Sequence, residues 1–300
     1  MHVLRPQTGR DALRWAASFL NKQGFGLETA RRECALLLTK ATGQTRLHNM
    51  LSLDQPLPQQ EWEYFISFIA RRAGWEPLQY ILGEQEFMSL VFTVSPAVLI
   101  PRWETETLVE EALRLLADIK NPRVLDLGTG SGAIAVSLAH YAPAAEITAV
   151  DISPEALIIA LKNAADLRVD QRIKFLTGDL FSPLPLRQRY HLIVSNPPYI
   201  GEREFTELPP DVQKEPRLAL AGGRDGLDFY RRIAAQAGSY LEPGGRLLLE
   251  IGWRQASAVR AFLAGQNFKN IRIMADLAGR DRVLSGEKCD ILSITHKGKV

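Results

Sequence analysis

Arg123-Val124-Leu125-Asp126-Leu127-Gly128-Thr129-Gly130-Ser131-Gly132 is the stretch that decides the fold. Arg123–Leu127 has the make-up of a buried strand. Three glycines follow within five positions, and Gly132–His140 then reads as a helix. Glycines at such a turn permit positive φ and let a ligand approach the backbone closely. A second strand, Glu146–Val150, runs into Asp151. An acid about twenty residues beyond the turn is placed to accept hydrogen bonds from ribose hydroxyls. The turn spells G-x-G-x-G rather than G-x-G-x-x-G, which disfavours a nicotinamide or flavin site. No G-x-x-x-x-G-K-[ST] phosphate loop occurs anywhere in the chain, which disfavours an NTPase.

Working outward, strands and helices alternate. Helical periodicity after Thr105 (Leu108, Ala112, Leu115, Leu116) stops at Asn121-Pro122, where proline cannot continue a helix. Beyond Asp151, Ser153-Pro154-Glu155 opens a helix with a capping serine, a first-turn proline and an acid at the positive end. Strands follow at Ile173–Leu176, Leu192–Ser195 and Arg246–Ile251, with helices at Gly226–Tyr240 and Gln255–Ala264. Two late strands, near Ile271–Met274 and Asp290–Ile294, have little between them. The pattern predicts an α/β fold: a mostly parallel, Rossmann-like sheet with helices on both faces and an antiparallel edge.

Upstream the periodicity is helical. Leu13, Ala16, Ala17 and Leu20 share one face; Ala30, Cys34, Leu37 and Leu38 another; Trp62, Phe65, Ile66 and Ile69 a third. Gly43 suits the end of the second of these helices. Phe87, Leu90, Phe92 and Val94 suggest short strands, with Ser95-Pro96 as a turn signal. The predicted organisation is therefore a helical bundle over 1–83, a β-hairpin linker over 84–100 and the sheet domain over 101–300.

Composition excludes several classes. In the 300-residue chain a net charge of +2 is too small to indicate a polyanionic partner. Arg31-Arg32, Arg71-Arg72 and Arg231-Arg232 read as solvated helix faces. Two isolated cysteines, Cys34 and Cys289, form neither a disulfide framework nor a metal site. Five scattered histidines lack ligand spacing, so no metal is expected. No apolar run nears the roughly 18–20 residues of a membrane span, and the opening residues lack a signal-peptide core. A cytoplasmic, membrane-free, monomeric protein is expected.

Candidate chemistry lies on two later loops. Leu192–Ser195 delivers Asn196-Pro197-Pro198-Tyr199 to the carboxyl end of a strand, beside the glycine turn. Two prolines stiffen the turn and remove two amide donors. The Asn196 side-chain oxygen and the Pro197 carbonyl remain as acceptors for the two N–H bonds of a planar NH2 group, and Tyr199 offers a flat face. Such a site holds a poor nitrogen nucleophile in line with a methyl donor. The short turn, with Asp126 behind it, suits the cationic S-adenosylmethionine. After the third strand, Gly178-Asp179-Leu180 places an acid for an adenine amine and an apolar neighbour for the ring.

With these residues the chain resembles the PrmC/HemK-type protein-glutamine N5-methyltransferases, which modify the glutamine of the Gly-Gly-Gln motif in peptide chain release factors. The resemblance extends to Leu99-Ile100-Pro101-Arg102, Thr105-Glu106, Glu215-Pro216-Arg217-Leu218-Ala219-Leu220 and Gly223-Arg224-Asp225-Gly226. It implies an S-adenosylmethionine-dependent methyltransferase domain whose cofactor is bound by Gly128, Thr129, Gly130, Ser131, Gly132, Asp151, Asp179, Leu180 and Asn196. It implies that Asn196 and Pro197 receive the substrate amide, that Pro198 and Tyr199 shape its pocket, and that Asp126, Arg102 and Glu106 support the site. The bundle over 1–83 becomes a substrate-recognition domain and a release factor the protein partner. The tetrapeptide also serves N6-adenine and N4-cytosine methyltransferases of nucleic acid, and a ribosomal-protein glutamine is a further candidate. Near-neutral charge and the lack of a target-reading domain argue against direct nucleic-acid binding.

Overall fold

The computed structural model describes residues 7–289. They fall into two compact units, one of residues 7–84 with 209–214, the other of 85–208 with 215–289. The predicted strand at Asp290–Ile294 lies outside the described residues.

The first unit is helical: α1 (Gly9–Lys22), α2 (Leu27–Thr42), α3 (Arg46–Leu51), α4 (Gln59–Ala73) and α5 (Leu78–Leu82). The Thr8 side chain caps α1 by accepting from the Asp11 amide. Gly43, at φ +64°, ends α2 in the left-handed region. The predicted stripes meet in one core, where Ala16, Leu20, Cys34, Leu37, Phe65 and Ile69 are all 0% exposed. Burial pushes the Cys34 thiol up to about 12, so it packs as an inert apolar group. Cys289, by contrast, is only half-buried.

One basic cluster departs from the sequence reading. Arg31, Arg32, Arg231 and Arg232 are exposed, but Arg72 is only 4% exposed. Its guanidinium donates to both Glu33 oxygens at 2.7 and 3.1 Å and to Asp211 at 3.4 Å. It also sits 4.4 Å from the centre of the Phe25 ring. A buried cation survives only when paired and hydrogen-bonded, and here the acids come from distant parts of the chain. Nothing in the local sequence of α4 shows them.

The second unit opens with the hairpin β1 (Glu84–Phe87) and β2 (Leu90–Thr93). Its tight turn is Met88-Ser89, with φ of 50° and 56°, and the predicted turn at Ser95-Pro96 follows β2, closed by the Val98 amide donating to the Ser95 carbonyl at 3.1 Å. This turn is pinned from outside. The Met88 amide donates to Glu106 Oε1 at 2.6 Å, and the Tyr141 hydroxyl donates to the Met88 carbonyl at 2.6 Å.

α6 (Trp103–Leu116) then leads into β3 (Arg123–Leu127), α7 (Ala133–Tyr141), β4 (Glu146–Asp151), α8 (Pro154–Asp166), β5 (Ile173–Thr177), β6 (Tyr190–Ser195), the short α9 (Arg217–Leu220), α10 (Asp228–Ala237), β7 (Leu241–Glu250), α11 (Ala256–Gly265), β8 (Phe268–Ala275) and β9 (Asp281–Lys288). The sheet order is β5-β4-β3-β6-β7-β9-β8. The first five are parallel, and β9 runs antiparallel to both its neighbours, β7 and β8. Two apolar cores, one on each face, cover this sheet. The order reverses between β3 and β6, and ligands of open α/β sheets bind outside the carboxyl ends at such a switch. Leu127 pairs with Val150 on one side and with Ser195 on the other. The glycine turn, Asp151 and Asn196 therefore emerge at one level. Ser195 pairs with Leu249, which brings Glu250 alongside Asn196.

Candidate active site

At this switch point lies a cavity of about 220 Å³. Of the predicted residues, Gly128, Gly130, Asp151, Asp179, Leu180, Asn196, Pro197 and Pro198 line it. The turn supplies two of its three glycines to the wall. Gly128 and Gly130 have φ of 72° and 55°, and a Cβ on either would meet nothing within 4 Å, so their backbone faces open space. Gly132 does a different job. At φ +80°, its Cβ would lie 3.1 Å from the Ala160 Cβ on α8, so it sets the approach of two helices.

Thr129 and Ser131 are buried rather than facing the cavity. The Thr129 hydroxyl donates to Asp126 Oδ2 at 2.7 Å, and the Ser131 carbonyl accepts from Asn163 Nδ2 at 2.8 Å. Asn163 also exchanges both its amide groups with the Thr93 backbone, at 2.7 and 3.0 Å, tying the hairpin to the turn.

The acids differ in environment. Asp126 is fully buried, its Oδ1 has no hydrogen-bond partner, and burial, with repulsion from Asp151 against the Thr129 hydrogen bond, pushes it up to about 7. Asp151 accepts the Gly130 amide at 2.7 Å on one oxygen and the Ser153 amide at 2.9 Å on the other. Burial raises it, and these amides oppose the shift. Each oxygen keeps a lone pair for a ribose hydroxyl. Asp179 is paired with Arg232 at 2.5 Å, both exposed. The open glycine backbone and the Asp151 lone pairs on the cavity wall fit a nucleoside ligand, while Asp126 is fully buried behind them.

Asn196 is half-buried at the end of β6, and its Nδ2 donates to Thr105 Oγ1 at 3.2 Å. With Nδ2 so engaged, Oδ1 is the free acceptor. The next peptides are held by segments the sequence reading singled out without giving them a role. Ile200 donates to the Leu220 carbonyl at 2.9 Å, Gly222 donates to the Ile200 carbonyl at 2.9 Å, and Gln255 Nε2 donates to the Tyr199 carbonyl at 3.0 Å. A Cβ on Gly222 would lie 2.7 Å from the Tyr199 Cα, and one on Gly226 would lie 2.4 Å from the Tyr199 carbonyl. Only glycine permits that approach. Burial and the Glu250 charge push the Tyr199 hydroxyl up to about 12, so it stays neutral. Tyr199 packs on the core beneath the sheet rather than on the cavity wall.

Arg102 and Glu106 do not pair with each other. Arg102 bridges to the buried Glu215, whose other oxygen accepts the Ile100 amide at 3.1 Å. Glu106 holds the hairpin turn instead. Thr105, Glu250 and Gln255 were not read as site residues. Glu250 carries one signal that was missed: like Asp151, it is an acid at the end of a strand, here after the apolar run Leu247-Leu248-Leu249.

A sheet of this order, with a glycine turn and a strand-ending acid at its switch point, is the S-adenosylmethionine-dependent methyltransferase fold. Solved structures agree on the fold. A methyltransferase from Pyrococcus furiosus superposes with a TM-score of 0.51 at 16% identity, covering 68% of this chain and 91% of that one. The hMettl16 catalytic domain, solved with an RNA hairpin, gives 0.58 at 16% identity, covering 75% and 82%. Residues 11–83 match the PrmC N-terminal domain family, and residues 105–208 match the methyltransferase small domain family. The release factor glutamine methyltransferase of Geobacter sulfurreducens is 45% identical over 93% of this chain and 96% of its own length. That of Salmonella typhimurium is 40% identical over 86% and 92%. The chain belongs to the release factor glutamine methyltransferases. Among the described residues no helix is long and apolar enough to cross a membrane, and no group of acids, histidines or cysteines is arranged to hold a metal.

Proposed function

We propose that this protein transfers a methyl group from S-adenosylmethionine to the side-chain N5 of the glutamine in the Gly-Gly-Gln motif of a peptide chain release factor. The observation that carries the reading is the Asn196 amide, whose nitrogen is taken up by Thr105 so that its oxygen is left to accept. Bound S-adenosylmethionine supplies an electrophilic methyl on a sulfonium. Gly128, Gly130 and Asp151 hold the nucleoside, and Asp179 and Leu180 flank its base.

Asn196 Oδ1 and the Pro197 carbonyl accept the two N–H bonds of the glutamine amide. This turns its delocalised lone pair toward the methyl. Orientation of this kind is worth effective molarities of roughly 10⁵–10⁸ M. Pro198 shapes the pocket, with Tyr199 packed on the core behind it, and Leu218 and Phe229 on the cavity wall exclude water. No base is needed before attack, because the proton leaves afterwards. The helical unit reads the protein partner; exposed Leu47, Met50 and Leu51 on α3 give it apolar contact surface. The protein acts as a cytoplasmic monomer without binding nucleic acid.

The test is transfer of labelled methyl to a release factor, to its Gln→Ala variant, to DNA and to ribosomes. Label on the intact release factor alone supports the reading, and label on DNA or ribosomes alone overturns it. Asn196→Ala is expected to lose transfer while calorimetry shows S-adenosylmethionine affinity retained.

A further inference from the structure

Glu215 takes no part in the chemistry above, yet this acid is only 5% exposed. A carboxylate is costly to bury unless its oxygens are paired. Here both oxygens engage the same short segment at two points. One accepts the Ile100 amide at 3.1 Å, and the other accepts from the Arg102 guanidinium. Residues beside both ends of this clamp line the cavity: Val98 and Leu99 on one side, Pro216, Leu218 and Ala219 on the other. Neither side belongs to the sheet. Residues 97–102 form a loop, and α9 is a single turn of helix, so no strand ladder fixes their separation.

The clamp also closes a ring. The Arg102 carbonyl, at the start of α6, accepts the Thr105 amide at 3.0 Å. Thr105 Oγ1 accepts from Asn196 Nδ2 at 3.2 Å. From Asn196 the chain runs through Pro197, Pro198 and Tyr199 to Ile200. The Ile200 amide donates to the Leu220 carbonyl at the end of α9, and the Ile200 carbonyl accepts from Gly222, both at 2.9 Å. α9 leads back through Pro216 to Glu215, and the two Glu215 bonds return the circuit to Ile100 and Arg102. Without them α9 is held at its carboxyl end only.

Building on the function proposed above, we infer that Glu215 is a positioning residue: it closes this ring and so holds α9 and the Asn196–Tyr199 turn at a fixed separation across the substrate slot. Gly128, Gly130 and Asp151 lie outside the ring, at the ends of β3 and β4. Opening it should therefore misplace the acceptors for the substrate amide and leave the nucleoside ligands where they are.

The variants are Glu215→Ala, which removes both bonds, Glu215→Gln, which keeps an acceptor for the Ile100 amide, and Arg102→Met, which removes the guanidinium. A displacement near 1 Å at a reacting group costs on the order of a hundredfold. Labelled-methyl transfer to a release factor should fall in kcat by that order for Glu215→Ala, and by on the order of tenfold for Glu215→Gln and for Arg102→Met. The double variant Arg102→Met with Glu215→Gln should be no worse than the worse single one, because both break the same bond. S-adenosylmethionine affinity in calorimetry should stay within about threefold of wild type throughout. Should Glu215→Ala fail to fold, the Glu215→Gln and Arg102→Met pair carries the same test.

A second readout needs no substrate. Hydrogen exchange at the Ile200 and Gly222 amides should speed up in Glu215→Ala, while the amides of β3 and β6 stay protected. Wild-type protein that fails to label a release factor sinks the proposed substrate, and exchange at Ile200 and Gly222 still decides the ring. Wild-type kcat, or wild-type exchange at those two amides, in Glu215→Ala overturns the inference. So does loss of β3 and β6 protection together with S-adenosylmethionine affinity, which marks a residue that only stabilises the fold. A loss of kcat in Arg102→Met with none in Glu215→Gln also overturns it, because Arg102 then acts on the substrate directly.

Discussion

Gly226→Ala is the sharpest probe of how the Asn196–Tyr199 segment is held. Gly226 has φ +74°, and an added Cβ would sit 2.4 Å from the Tyr199 carbonyl oxygen and 2.8 Å from Gln255 Nε2. Two costs add. A non-glycine residue in the left-handed region costs about 1–2 kcal/mol. Relieving a clash with backbone, which cannot swing aside as a side chain can, costs about 1–3 kcal/mol more. The sum, about 2–5 kcal/mol, should lower the melting temperature by on the order of 5–15 °C. The relief must move Tyr199 or break the Gln255 hydrogen bonds to the Tyr199 and Gly226 carbonyls, at 3.0 and 3.2 Å. A shift near 1 Å at the acceptor segment lowers turnover by on the order of a hundredfold.

Two controls separate the causes. Gly128→Ala shares the positive φ but meets no protein atom within 4 Å, so its melting temperature should show only the backbone cost, while its methyl enters the cofactor cavity and its turnover is not the control. Gly238→Ala, at φ −57° with open space, should leave stability unchanged or slightly raised. Differential scanning calorimetry on all three variants, and steady-state methyl transfer on Gly226→Ala and Gly238→Ala, give the comparison. Wild-type kcat/KM and melting temperature in Gly226→Ala would refute the claim that the 222–226 loop holds the acceptor segment.

Further outcomes follow from other contacts. Asp151→Ala should weaken S-adenosylmethionine binding in calorimetry, since it removes the ribose acceptor and frees the Gly130 and Ser153 amides; an unchanged Kd would remove Asp151 from the site. Asp126 is raised in the folded state to about 7, so the folded protein holds a proton there that the unfolded chain has already released. Stability contributed by that proton is present at low pH and declines as pH rises from about 4, the unfolded carboxyl value, to about 7. Urea melts of Asp126→Asn should show a shallower decline across that window than wild type, and an identical slope would count against the shift. Arg72→Ala strands Glu33 and Asp211. Breaking one partner of a buried pair costs about 3–5 kcal/mol, read as loss of the helical unit's circular dichroism at lower temperature.

Periodicity and glycine placement made much of this architecture legible. The three apolar stripes of the helical unit, the strand-turn-helix at Arg123–Tyr141 and the acid ending β4 are local patterns, each stated by residues close in sequence. The sheet's switch point follows from them, because parallel strands joined by helices leave few arrangements. Asn196-Pro197-Pro198-Tyr199 was legible for the same reason: two prolines dictate a stiff, donor-poor turn by covalent geometry alone.

Contacts made between distant segments were not legible. Arg102 meets Glu215 rather than Glu106, and Arg72 is buried because Glu33 and Asp211 close over it. Gly132 spaces two helices instead of facing the cavity, and Thr129 turns inward to Asp126. Each depends on which elements the folded sheet brings side by side. The Asn196 amide shows the division most clearly. Its place at the end of a strand beside the glycine turn is a local property of the chain. Which of its two ends faces the cavity is set by Thr105 on α6, which accepts from its nitrogen. A side-chain amide carries no preference of its own between oxygen and nitrogen, so only neighbours delivered by the tertiary fold can choose.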